Sequence, residues 1–89
     1  MAAFTIEFVK SARKEFERIP AKTRGKAAEA LYLLSQNPYS ELLKVKKLKG
    51  ASDLYRVRIG EYRLVYELQN DRLIVLVIKI GHRRDVYRR

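Results

Sequence analysis

The chain has 89 residues, 47% of them apolar, no cysteine, and a formal charge of +10. That length holds one modest hydrophobic core, and the absent thiols exclude disulfide staples and thiolate metal sites. No segment approaches the ~20 apolar residues of a membrane span and the amino terminus lacks a signal-peptide run, so a cytoplasmic protein with no membrane partner is expected.

In chain order, Phe4, Ile6 and Phe8 alternate with Thr5 and Glu7, the two-residue period of a strand. Ser11 is placed to cap a following helix in which Ala12, Phe16 and Ile19 recur at i, i+4 and i+7, and Pro20 stops it. A second helix over about Ala21–Gln36 lines up Ala27, Ala30, Leu31 and Leu34, while Lys22, Arg24, Lys26 and Glu29 stay outside that stripe. It ends at Asn37 and Pro38, because the residue before a proline is pushed off helical angles. Two helices joined so tightly predict an antiparallel hairpin whose shared apolar side needs a sheet to cover.

The remaining chain supplies the sheet. A strand is expected over about Leu54–Ile59, then a two-residue turn at Gly60 and Glu61, where glycine in the first central position suits type II′. "YRLVYELQ" returns, Asn70 and Asp71 are expected to form a second tight turn, and "RLIVLVIKI" is an apolar run long enough for a central strand. The order is β-α-α-β-β-β: a single α+β domain over residues 1–89, its helical hairpin packed on a small, mainly antiparallel sheet.

The short turn fixes a register. Ile59 faces Tyr62, Arg58 faces Arg63, Val57 faces Leu64, Arg56 faces Val65 and Tyr55 faces Tyr66. The tyrosines and aliphatics then share a face for the helices, and Arg56, Arg58 and Arg63 share the other. Arginines directly opposite each other repel, and a phosphate between them would reverse the sign of the interaction, since guanidinium forks match phosphate oxygens. The plainer explanation is neutralisation by Glu61, Glu67 or Asp85. Against it, residues 1–43 carry a charge of +2 and residues 44–89 carry +8, so further cations crowd the same half. Such a field attracts polyanions. Lys44, Lys46, Lys47 and Lys49 add a basic segment just before the sheet, to be read either as a phosphate-contacting loop or as a solvated one.

The segment "IGHRRDVYRR" contains His82, the sole histidine of the chain, with Arg83, Arg84 and Tyr87. Imidazole is suited to proton transfer near neutral pH, although a lone histidine is more often structural. Arginine stays protonated and is a poor base, so it would serve to stabilise charge. No metal-ligand cluster, phosphate-binding glycine loop or nucleophile elbow is present, and no metal or cofactor is expected. Composition and spacing by themselves stop at a basic α+β domain that binds a phosphate polymer.

The runs "YRVRIGEYRLVYE" and "IGHRRDVY", set in a chain that begins "FTIEFVKSARKEFERIP", resemble the RelE branch of the RelE/ParE toxin superfamily. The resemblance spans most of the chain and implies a toxin of a type II toxin-antitoxin pair. It further implies an mRNA endoribonuclease that enters the ribosomal A site and cuts the message by attack of a 2′-hydroxyl on its own phosphate, with a RelB-like antitoxin as partner. The family's basic strand positions fall on Arg56 and Arg58, its strand arginine on Arg63, its catalytic arginine on Arg83 and its terminal tyrosine on Tyr87. His82 matches a position held by lysine or histidine. Arg56, Lys44, Lys46, Lys47, Lys49 and Arg84 would contact RNA. Arg56 and Arg58 stand where other members have lysines, which shifts the expected proton transfer to His82. The chain runs two residues past Tyr87, and the carboxy-terminal helix of some relatives is expected to be missing. A ParE-type gyrase poison and a non-catalytic nucleic-acid binder are the alternatives.

Overall fold

Ile6 and Phe8 place their side chains against the core from strand β1, Thr5–Phe8, and Phe4 does so from just ahead of it. The computed structural model describes residues 3–48 and 53–82. Helix α1, Lys10–Arg18, starts one residue before the expected cap: Val9 is the N-cap, without a side-chain cap bond, and Ser11 lies in the first turn. The reason is tertiary. The Val9 amide donates to the Val77 carbonyl at 3.0 Å and its side chain packs on the core, so the sheet hands the chain directly into the helix.

Ile19 ends α1 in an extended conformation (ψ 157°), as a pre-proline residue should. The last carbonyls of α1 need partners, and Arg24 supplies them, its Nη1 donating to Ile19 O at 3.0 Å and Glu17 O at 3.2 Å. Helix α2 spans Ala21–Gln36, with Ala27, Ala30, Leu31 and Leu34 buried as their spacing predicts. Helix α1 packs over β1 and the last strand, while α2 packs over β1 and the Leu54–Ile59 strand. No described helix is long and apolar enough to cross a membrane.

Among the described residues the sheet has five strands, one more than predicted: β2 is the pair Lys46–Lys47, β3 Leu54–Ile59, β4 Tyr62–Gln69 and β5 Ile74–His82, in the spatial order β1-β5-β4-β3-β2. Two lysines show no apolar alternation, which is why β2 left no trace in the sequence pattern, and charged short strands are suited to a sheet edge. β1 runs parallel to β5 and every other pair is antiparallel. The β3–β4 register is the predicted one, from Ile59↔Tyr62 through Arg58↔Arg63 to Tyr55↔Tyr66. Gly60 has φ +62° while Glu61 has no positive φ, as a type II′ turn requires.

The next connection departs from expectation. It takes four residues, Asn70–Leu73, rather than two, with the Arg72 amide on Gln69 O at 3.2 Å and Leu73 in the left-handed region (φ 55°). The longer loop lets Leu73 O accept from the Thr5 amide at 2.8 Å, which starts the β1–β5 pairing.

A β-bulge was also not foreseen. Val65 pairs with Lys79 but Tyr66 pairs with Val77, leaving Ile78 as the extra residue of β5. Because strand side chains alternate, one extra residue exchanges the faces beyond it. Val75 and Val77 face the core before the bulge, and Ile80 faces it afterwards. Glu15 of α1 fastens this irregularity, accepting from the Ile80 amide at 2.9 Å and from Lys79 Nζ at 3.2 Å.

The core lies between the helices and one sheet face. Its largest fully buried side chain is Tyr66, whose ring stacks on Tyr55 (centroids 5.6 Å apart) and whose hydroxyl donates to Pro38 O at 2.5 Å. That bond ties the loop after α2 to the middle of the sheet. Burial first, then the neighbouring Tyr55 and Tyr39 hydroxyls, push the Tyr66 phenol well above its usual range.

Candidate functional site

The opposite face of the sheet carries the arginines. In a hairpin with a two-residue loop the Ile59–Tyr62 pair exchanges the backbone hydrogen bonds, which makes Arg58–Arg63 the closer, non-hydrogen-bonded pair, with Cβ atoms roughly 5 Å apart. Arg56 lies two residues along the same face, opposite Val65 on one side and Lys46 on the other. On the β5 side Arg63 faces Gly81, which presents no side chain. Arg63 is deeply set at 6% exposure, Arg56 half-buried, and Arg58 open to solvent.

These residues form one concavity of about 520 Å³, lined by Arg56, Arg58, Arg63, Lys44, Lys46, Leu42 and Leu43. Among the described residues that line it, five of seven are cations and none is a carboxylate. Glu67, one candidate neutraliser, accepts from Gln69 Nε2 at 3.0 Å, and Glu15 holds Lys79. Arg56, Glu61, Arg63 and His82 each make further interactions within the chain. A hollow of this kind is suited to an anion with several acceptor oxygens: guanidinium forks engage two oxygens each, and charge-assisted hydrogen bonds strengthen away from bulk water.

The predicted residues fall into three sets. Arg56, Arg58, Arg63, Lys44 and Lys46 are brought together. Lys47 and His82 are not. Lys47 pairs with Tyr55, whose side chain belongs to the helix-covered face, so alternation sends Lys47 away from the arginines. His82 pairs with Tyr62 and their rings meet edge-on at 5.6 Å, while Gly81 takes the position beside Arg63. The Ile78 bulge is the cause: with an uninterrupted β5, position 82 would share the arginine face. Lys49, Arg83, Arg84, Asp85 and Tyr87 lie outside the described residues. Among the described residues no group of three His, Cys, Asp or Glu side chains is gathered as a metal site would need.

Sequence reasoning missed Leu42 and Leu43, the apolar wall of the hollow. They sit in a 3-10 turn, Glu41–Leu43, that follows α2. The available signal was two leucines in no helical or strand period, immediately ahead of the lysine run.

Comparison with known proteins agrees with this architecture. The family described as "ParE toxin of type II toxin-antitoxin system, parDE" matches residues 6–87. The putative toxin RelE1 of Methanocaldococcus jannaschii is 34% identical over 86 residues, covering 96% of each chain. The mRNA interferase toxin RelE of Escherichia coli is 29% identical, over 96% of this chain and 90% of that protein. Among solved structures, the archaeal RelE-RelB complex from Pyrococcus horikoshii superposes with a TM-score of 0.80 at 26% identity, over 91% of this chain and 96% of the matched one. Two helices on a mixed five-stranded sheet, the arginine face and a match along nearly the whole length lead to one assignment: the chain belongs to the RelE/ParE superfamily of type II toxin-antitoxin toxins.

Proposed function

We propose that this toxin is a ribosome-dependent mRNA endoribonuclease, cutting the message in the A site by attack of a 2′-hydroxyl on the adjacent phosphate. The observation that supports it most is the hollow, to which the described residues contribute five cations and no carboxylate. Attack of the 2′-oxygen adds negative charge to the phosphate. Donors fixed in place before the reaction stabilise that charge best, a task for Arg56, Arg58 and Arg63. Lys44 and Lys46 extend the field toward flanking phosphates, and Lys47, from the other face, adds to the long-range attraction of RNA.

Proton transfer is assigned to His82. In the free protein its ring rests on Tyr62, so the assignment requires the imidazole to leave that contact when RNA enters. Arg83 stabilises charge, Tyr87 holds a base by stacking or donates a hydrogen bond, and Arg84 and Lys49 contact RNA. The partner is a RelB-like antitoxin, as in the solved RelE-RelB complexes, acting in the cytoplasm to cover a surface of +10 charge.

The test is purified protein on a defined message, with and without programmed ribosomes, read by mapping the new RNA ends. Cuts phased to the A site are expected with ribosomes, and Arg83→Ala should lose them while keeping the wild-type far-UV spectrum. The family's ParE description favours a second reading, a gyrase poison that cleaves no RNA. Intact messages together with DNA damage on induction would replace the first reading with that one.

A further inference from the structure

The cationic hollow has a second chemical half that a phosphate leaves unused. Leu42 lines it while remaining 81% exposed, the most exposed large hydrophobic side chain among the described residues. An isolated surface leucine calls for no explanation. This one is held in position. Its neighbour Leu43 packs on the core, Ser40 is buried, and Lys44 closes the turn in the left-handed region (φ 52°). Backbone bonds from Leu43 N to Ser40 O (3.4 Å) and from Lys44 N to Glu41 O (3.2 Å) hold the turn, and the Tyr39 amide donates to Asn37 Oδ1 at 3.0 Å just before it. The result is an apolar wall beside a floor of guanidinium groups.

The ligand that matches both halves alternates a phosphate with a flat, weakly hydrated ring. Inorganic polyphosphate would leave the wall wet. An extended acidic peptide needs a groove, whereas this hollow, at about 520 Å³, has the size of a small-molecule site. We propose that Leu42 and Leu43 form a nucleobase subsite, in which the base attached to the nucleotide whose phosphate lies on Arg58 and Arg63 packs against Leu42. The inference rests on the RNA-cleaving reading and adds to it the feature that distinguishes a nucleotide from a bare anion.

The experiment compares three probes by fluorescence anisotropy and competition: a single-stranded RNA hexamer, the same hexamer with one abasic ribose at its centre, and inorganic tripolyphosphate. Wild type is expected to prefer the intact hexamer by about 5-fold, the effect of shielding some tens of Å² of apolar surface. In Leu42→Ser, a change at an exposed position, that preference should fall to about 1-fold with tripolyphosphate competition unaltered. Arg58→Ala should weaken all three probes alike. A wild type indifferent to the abasic site, or a Leu42→Ser protein that keeps the preference, overturns the subsite. So does a Leu42→Ser protein that loses only antitoxin affinity, since the wall would then serve a protein partner. Unchanged binding of every probe by Arg58→Ala defeats the underlying RNA-cleaving reading instead.

Discussion

Replacing Arg58 by glutamine should stabilise the protein and disable it. Arg58 stands directly opposite Arg63 in the hairpin, at the spacing where cross-strand side chains interact most strongly. If the two head groups kept a separation on the order of that Cβ spacing, roughly 5 Å, they would repel by about 0.8 kcal/mol in bulk water and about 3 kcal/mol at an effective dielectric of 20. Arg58 is solvent-exposed and its head group can swing outward, so the lower figure governs, in line with the ~0.2–1 kcal/mol of cross-strand pairs. Arg58→Gln should therefore raise Tm by up to about 6 °C for a domain of this size. The gain should vanish in about 1 M salt, where the screening length is only about 3 Å. Cleavage should fall by about 10²–10³, the usual effect of losing one preorganised donor to a developing anion. Differential scanning calorimetry in low and high salt, beside single-turnover cleavage on programmed ribosomes, measures both signs. A variant less stable than wild type at every salt concentration would mean that Arg58 holds the sheet together. Unaltered cleavage would remove it from the chemistry.

His82→Gln should slow single-turnover cleavage by about 10²-fold or more while ribosome affinity stays within about 2-fold; an unchanged rate would move proton transfer to another group. Tyr66→Phe removes the buried bond to Pro38 O and should cost about 1 kcal/mol at neutral pH by urea denaturation, with cleavage intact. Because the Tyr66 phenol is raised in the folded state, its contribution is fully present below the unfolded value of about 10. It is lost as pH climbs above that value, at about 1.4 kcal/mol per pH unit. The alkaline limb of stability should flatten in Tyr66→Phe, and an identical slope in both proteins would assign the titration elsewhere.

The hairpin and α2 could be read from the sequence because each is specified locally. Gly60 and Glu61 form a two-residue loop, which leaves one register that sorts tyrosines from arginines, and Ala27, Ala30, Leu31 and Leu34 repeat at the helical period. The arginine half of the site followed from that register. What escaped depends on distant partners. Ser11 yields the cap position to Val9 because Val77 holds the Val9 amide, and Leu73 lengthens its loop to reach Thr5. Ile78 bulges opposite Val65 and Tyr66, where Glu15, 65 residues before Ile80, accepts the Ile80 amide. No neighbouring residue signals that event, yet it decides that Gly81 and not His82 lies beside Arg63. Leu42 escaped for the opposite reason: it belongs to no period and is positioned by a turn.

The parallel pairing of Thr5–Phe8 with Ile74–Val77 sets a schedule for the newborn chain. Of all the strands, the earliest synthesised waits for the last, and contacts this remote in sequence form late. Until Ile74–Val77 emerge from the ribosome that is translating them, the first strand has no place to dock. A toxin built this way cannot complete its sheet before Ile74–Val77 have been made.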